Sequence, residues 1–221
     1  MNLDPIHLFA EMPAAVRAVV IVLLVQAALS ISVVIDRYLL LFRSHRRSAV
    51  FAQEVTPKLD AGDYEGALAV ASKTHGSHLA SYMYTGIQTF LQRRAEGKSI
   101  EKAVHLTERA LDRQGEQVSA SLNRGMNVLA STGSTAPFVG LLGTVLGILF
   151  AFKQIAETGS GGIATIGGAI GEALVVTGLG LVVAIPVVLV FNALSNKIGL
   201  YEAGLSSSAG ELVDRLESDA E

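Results

Sequence analysis

Glu172 is the only ionisable side chain in an apolar stretch running from 163 to 194, and Thr177 follows it by five residues. A charge in hydrocarbon costs at least ~2.5 kcal/mol unless it faces a cavity, an ion path or a partner. A carboxylate in such a place exchanges a proton if neighbouring polarity keeps its pKa within reach, whereas a threonine hydroxyl positions a water or a second carboxylate without carrying charge. A second threonine, Thr144, lies in another apolar stretch, 131–156. Counted inward from the short segment joining the two stretches, Thr144 and Thr177 reach similar depth, roughly 16–21 Å from the outer ends, with Glu172 nearer the outside. Glu172 and Thr177 differ by about 500° and about 7.5 Å along a helix, and are expected on two adjacent faces of one broad stripe. Plainer readings stand beside the ion path: each hydroxyl bonds the preceding turn of its own helix, and Glu172 is a structural hydrogen-bond partner between subunits. A single carboxylate is thin for a channel, which leaves room for a titrating group from another subunit.

The elements that must position these residues are apolar helices. Of the 221 residues, 50% are hydrophobic and 17% charged, and the mean hydropathy is +0.46. The excess collects in 16–42, 131–156 and 163–194, each long enough for about 30 Å of hydrocarbon. Three spanning helices are expected, in an all-α integral membrane protein with long helices extending from the membrane. The first stretch is too long for a cleaved signal and runs directly into Arg43, Arg46 and Arg47, so it reads as an uncleaved anchor. That basic cluster favours the cytoplasmic side, with only Arg17 against Asp4 and Glu11 before the stretch. The expected layout is an external segment 1–15, a span 16–42, a cytoplasmic helical domain 43–130, spans 131–156 and 163–194 joined by an external loop 157–162, and a cytoplasmic tail 195–221. The first span, rich in Val, Leu and Ile, suits a lipid-facing place outside the other two; Asp36 and Arg37 at its inner end suit a local pair or headgroup contact.

Between the first and second spans the pattern is helical and polar. Leu59, Tyr64, Leu68 and Ala71 form an apolar stripe with Asp63 as a cap; Gly76 and Ser77 precede a helix at 79–94; Ser99 caps a third after the turn Glu96, Gly97, Lys98. No stop is evident from Ile100 to Ala130, so the third helix is expected to run nearly unbroken into the second span.

Small residues recur along the two later spans: Gly140, Gly143, Gly147 and Ala151 in one; Gly167, Gly168, Gly171, Ala173, Gly178, Gly180 and Ala184 in the other. Such seams let helices approach closely. Pro137 stands near the start of its span; Pro186 frees a carbonyl within its own; Asn192 can bond across helices near the inner mouth. Lys153 and Glu157, four apart, suit a surface pair. His75 and His78 gain no second pair and cysteine is absent, so no metal or cofactor is expected. Gly159, Gly161 and Gly162 lack the Lys-Thr or Lys-Ser of a phosphate loop, and no hydrolytic triad or carboxylate pair stands out, which argues against an enzyme. Residues 43–130 hold twelve Lys or Arg against nine acids, and 195–221 two against six; neither suggests nucleic acid.

The stretches Ser134 to Phe152, STAPFVGLLGTVLGILFAF, and Ala169 to Asn192, AIGEALVVTGLGLVVAIPVVLVFN, together resemble the MotA/TolQ/ExbB proton-channel family, nearer its ExbB and TolQ branches than the flagellar stator branch. The resemblance implies a homopentamer whose second and third helices line a central pore, with the first peripheral. It implies an ExbD/TolR-like single-span dimer in that pore, bringing an essential Asp. By motif position Thr144 and Thr177 correspond to the threonines near that Asp and Glu172 to the acid of the third helix; Pro137, Gly140, Gly143, Pro186 and Asn192 also fall where the motifs place them. The implied function is a proton-channel and motor subunit in the bacterial inner membrane, energising TonB-dependent outer-membrane transport through a TonB-like protein, in contact with membrane lipids. A TolQ-like role in envelope integrity, and a non-conducting scaffold for the single-span partner, are the alternatives.

Overall fold

A computed structural model describes Phe9, residues 12–158 and residues 163–218, with side chains for all of these but Thr158 and 163–166. The expected glycine turn at 159–162 and most of the segment 1–15 lie outside the described residues. Among the described residues every element is helical: α1 (Ala14–Asp60), α2 (Tyr64–Lys73), α3 (His78–Ala95), α4 (Ile100–Leu122), α5 (Met126–Thr158) and α6 (Ile163–Ser218). Helices α1, α5 and α6 each contain a stretch long and apolar enough to cross a membrane. The chain divides into two units, one of 1–35 with 125–193, the other of 36–124 with 194–221.

In the first unit α1 packs against the other two spans by one face. Val16, Val19, Val20 and Leu23 are buried in one cluster with Ala136 of α5 and Val176, Val183 and Ala184 of α6. The opposite face carries Ile21, Leu24, Val25 and Ile31, each about half or more bare. A helix apolar all round has no solvent face to choose, so its packed side is set by shape: small residues on α5 and α6 make grooves, and β-branched valines fill them.

The second unit is a helical bundle whose turns follow local rules. Asp63 accepts a 2.8 Å hydrogen bond from the Gly66 N–H, Ser77 caps α3 through the Ala80 N–H, and Ser99 caps α4 through the Lys102 N–H, each satisfying an orphan donor of a first turn. Phe51, Ile87, Leu111, Leu122, Leu212 and Leu216 fill its interior. Gly86 lets Leu111 and Leu212 close over α3: a Cβ there would lie 2.6 Å from Leu212 Cδ2. Residues 195–218 are therefore no loose tail but the end of α6, with Ile198, Leu205 and Leu212 buried.

The helix expected to run from Ile100 into the second span is broken. Asn123 caps the end of α4, its N–H bonding the Ser119 carbonyl, and Gly125 takes φ +80° before α5 begins. Positive φ favours glycine, and Asn is a common helix terminator. Arg37, 5% exposed, donates to the carbonyls of Ser121 and Leu122 and pairs with exposed Asp36. A guanidinium on the last carbonyls of a helix answers their partial negative charge. Arg37→Met is expected to cost about 2–3 kcal/mol, the scale of hydrogen bonds to a charged group, against under ~1 kcal/mol for Asp36→Asn, whose own carboxylate is exposed. Thermal unfolding of the detergent-solubilised variants checks the difference.

Candidate functional site

The seam between α5 and α6 is closest where two glycines meet. A Cβ on Gly180 would lie 2.7 Å from the Ala136 carbonyl oxygen and 3.1 Å from Gly140 Cα; one on Gly140 would lie 3.2 Å from Gly180 Cα. Gly143 faces Val176 and Gly147 faces Ala173, with built Cβ distances of 2.5 and 2.8 Å. Ala173 and Ala184 are buried at 2% and 3% exposure. Gly167, Gly168 and Gly178 do not share this seam: a Cβ on any of them meets nothing within 4 Å. Pro137 is half-buried, and Pro186 and Asn192 are exposed.

Close approach of the two backbones brings the threonines together. Thr177 Oγ1 donates across the seam to the Gly140 carbonyl at 3.0 Å, and Thr144 Oγ1 donates to the Leu141 carbonyl of its own helix at 2.7 Å. The two hydroxyl oxygens lie 3.5 Å apart. A hydroxyl has one proton and two lone pairs, and each hydroxyl here has a carbonyl oxygen as its shortest acceptor, with Thr144 Oγ1 a longer alternative for Thr177. The pair is thus an acceptor site, suited to a water or to the O–H of a neutral carboxylic acid. A carboxylate, which only accepts, gains nothing until a threonine turns its proton away from the backbone.

Glu172 is not part of that pair. It lines a separate cleft of 560 Å³ with Met12, Pro13, Gly147, Lys153 and Glu157; neither Thr144 nor Thr177 lines it. Lys153 and Glu157 are 3.8 Å apart with both side chains 66% exposed, a solvated pair of the expected kind.

Sequence reading missed a polar contact between α1 and α5. Gln26 Nε2 donates to Thr135 Oγ1 at 3.3 Å, and Thr135 donates to the Ser131 carbonyl. Ser30, one turn along α1, is 1% exposed. The available signal was a Gln and a Ser at i, i+4 in an otherwise apolar helix, which share a face. No group of three metal-ligating side chains occurs among the described residues.

A chain whose described elements are all helical, with three span-length apolar helices, two of them joined by a glycine seam bearing paired hydroxyls, is a multi-pass membrane protein. The chain belongs to the MotA/TolQ/ExbB proton channel family, whose profile matches residues 76–205. It is 33% identical over 202 residues to the biopolymer transport protein ExbB of Neisseria gonorrhoeae, covering 90% of both chains. To the Salmonella typhimurium ExbB it is 30% identical over 198 residues, 90% of this chain and 80% of the relative. To that of Xanthomonas campestris it is 43% identical over 118 residues, and the match spans only 46% of the relative's length.

Proposed function

We propose that this chain is a proton-channel subunit that uses the proton motive force to energise transport across a bacterial envelope, working with a single-span partner that carries the titrating acid. The carrying observation is the hydroxyl pair at Thr144 and Thr177, each with a carbonyl oxygen as its shortest acceptor. An acid on a partner helix docks there while protonated and loses its contact on giving up the proton, so occupancy of the site follows proton transfer. The membership of the family and the ExbB relatives support the same reading.

In this proposal the spans are 16–42, 131–156 and 163–194, in the inner membrane. Arg43, Arg46 and Arg47, all exposed, hold their end of α1 on the cytoplasmic side, which puts the amino terminus outside. Five copies surround a dimer of ExbD/TolR-like helices, and a TonB-like protein carries the work outward. The bare apolar faces of α5 and α6, Phe138, Leu141, Val145 and Leu149 on one and Leu174, Val182, Ile185 and Leu189 on the other, are surface for neighbouring copies, partner helices and lipid.

Isolation of the complex in mild detergent, followed by reconstitution into vesicles under an imposed pH gradient, tests the proposal. An acid-bearing single-span protein is expected to co-purify and gradient-driven proton flux to depend on it; absence of both rejects the reading. Glu172 is assigned a tuning role at the outer cleft. Glu172→Gln is therefore expected to assemble normally and reduce flux about threefold, a barrier change of ~0.6 kcal/mol, with an altered pH profile. Complete loss of flux in an assembled complex would make it an obligatory carrier instead.

A further inference from the structure

A second chain of polar groups lies in the unit formed by 36–124 and 194–221, outside the hydroxyl pair. Ser44 Oγ on α1 is 2.8 Å from His78 Nδ1 and 2.8 Å from the Tyr201 hydroxyl on α6. The Tyr201 hydroxyl is 3.1 Å from Ser48 Oγ, and Ser48 Oγ is 2.9 Å from Ser77 Oγ. Ser77 also accepts the Ala80 N–H at 3.0 Å as the cap of α3. Three helices distant in sequence are thus tied by four consecutive side-chain hydrogen bonds.

Four bonds and four hydroxyl protons leave little freedom. With His78 as the neutral Nε2–H tautomer, Ser77 donates to Ser48, Ser48 to Tyr201, Tyr201 to Ser44 and Ser44 to Nδ1, and every hydroxyl proton is used. When that imidazole takes up a proton at Nδ1, Ser44 accepts from Nδ1 as well as from the His78 N–H at 3.3 Å, so both its lone pairs are filled, its own proton turns to Tyr201 and the later bonds reverse in turn. Ser48 then donates to Ser77, whose own proton has no recipient within the chain. We propose that His78, Ser44, Tyr201, Ser48 and Ser77 form a proton-binding relay, in which one proton taken up at Nδ1 reverses every bond as far as the cap of α3. It is independent of the transport reading above.

The surroundings oppose that proton. Burial lowers the His78 imidazole below its ordinary value, and the start of a helix is unfavourable for a cation. Basic groups stand on each side: from α1, His45 with its ring 6.3 Å from that of Tyr201 and Arg46 in the adjoining cavity; from α6, Lys197 in the same cavity; before α3, His75, whose carbonyl accepts from Arg47. A base whose folded value is depressed contributes stability that is present above its unfolded value and is lost as pH falls. The packing of α3 on α1 and α6 is therefore a reader of acidification on its side of the membrane.

Amide hydrogen exchange on the full-length protein in detergent, corrected for the chemical rate, tests the relay at residues 80–84. Between about pH 8 and about pH 5.5, across the titration range of imidazole, exchange in the wild type is expected to rise about fivefold through local opening. His78→Asn places an acceptor amide oxygen near the Nδ1 position without titrating, and is expected to stay at the high-pH level throughout. Tyr201→Phe breaks the chain at its centre and is expected to exchange faster at both pH values. A flat wild-type profile, or a rise retained in His78→Asn, overturns the proposal. Should either variant fail to fold, the wild type alone decides by NMR: Tyr201 ring signals moving with the His78 titration support the relay, and independent titration of the two rejects it.

Discussion

Gly180→Val is expected to abolish the contact between α5 and α6 and with it the folded membrane unit. Even the first added carbon would stand 2.7 Å from a backbone carbonyl oxygen and 3.1 Å from Gly140 Cα, and neither is a flexible side chain that can move aside. The helices must part. Overpacking of a well-filled interior costs typically ~1–3 kcal/mol, and separation also removes the Thr177 bond to Gly140 and the Val176 contact with Gly143, so a loss above ~3 kcal/mol is expected. Gly178→Ala is the control. Nothing lies within 4 Å of its added carbon, and replacing glycine in a helix stabilises by up to ~1 kcal/mol. Yield of monodisperse protein and the thermal midpoint in detergent measure both. Equal behaviour of the two variants would mean that the glycine seam does not hold the pair together.

Removing both hydroxyls has the opposite profile: fold kept, work lost. Thr144→Val with Thr177→Val preserves shape and gives up two hydrogen bonds, each worth about 1 kcal/mol at most. The carbonyls released at Gly140 and Leu141 belong to helices and retain backbone partners. Gradient-driven flux is expected to fall about 10–100-fold, equivalent to ~1.4–2.8 kcal/mol of barrier, in a complex that still assembles. Thr177→Ser, which keeps the bond to Gly140, is expected to restore most of it. Normal flux in the double variant would reject the acceptor-pair mechanism while leaving the fold intact, and is what a pure scaffold would give.

Local signals were legible where one residue decides the outcome. Asp63 and Ser99 cap the helices that their positions predicted, because a cap needs only its own side chain and the next turn, and Ser77, read only as part of a break, proves to be the cap of α3. The break at Asn123 to Gly125 escaped because the apolar pattern resumes on both sides of it, while the Arg37 that holds the helix end comes from a different element. Gly178 and Gly180 read alike in sequence yet differ completely in surroundings. Two positions rotate a helix by about 200°, and which side faces α5 depends on the partner's shape. Glu172 and Thr177 are not the close neighbours expected: five positions leave them about 140° apart once the full turn is removed, and the carboxylate opens into its own cleft beside Gly147 and Ala173. The relay from Ser44 through Tyr201 to His78 joins residues up to 157 positions apart, beyond any periodicity.

The order of synthesis gives one packing contact a further meaning. Gly86 and Leu111 close their part of the core only when Leu212 arrives, more than a hundred residues later in the chain. During translation α3 and α4 emerge with the Gly86 and Leu111 side of their contact open, and two membrane-length helices must be made before the leucine that closes it exists. This unit therefore matures after its chain has been threaded into the bilayer, and a ribosome that stalls within α6 leaves an open apolar surface for proteases and chaperones to find. Leu212 lies in that last stretch, so only chains made through it can close the contact over Gly86.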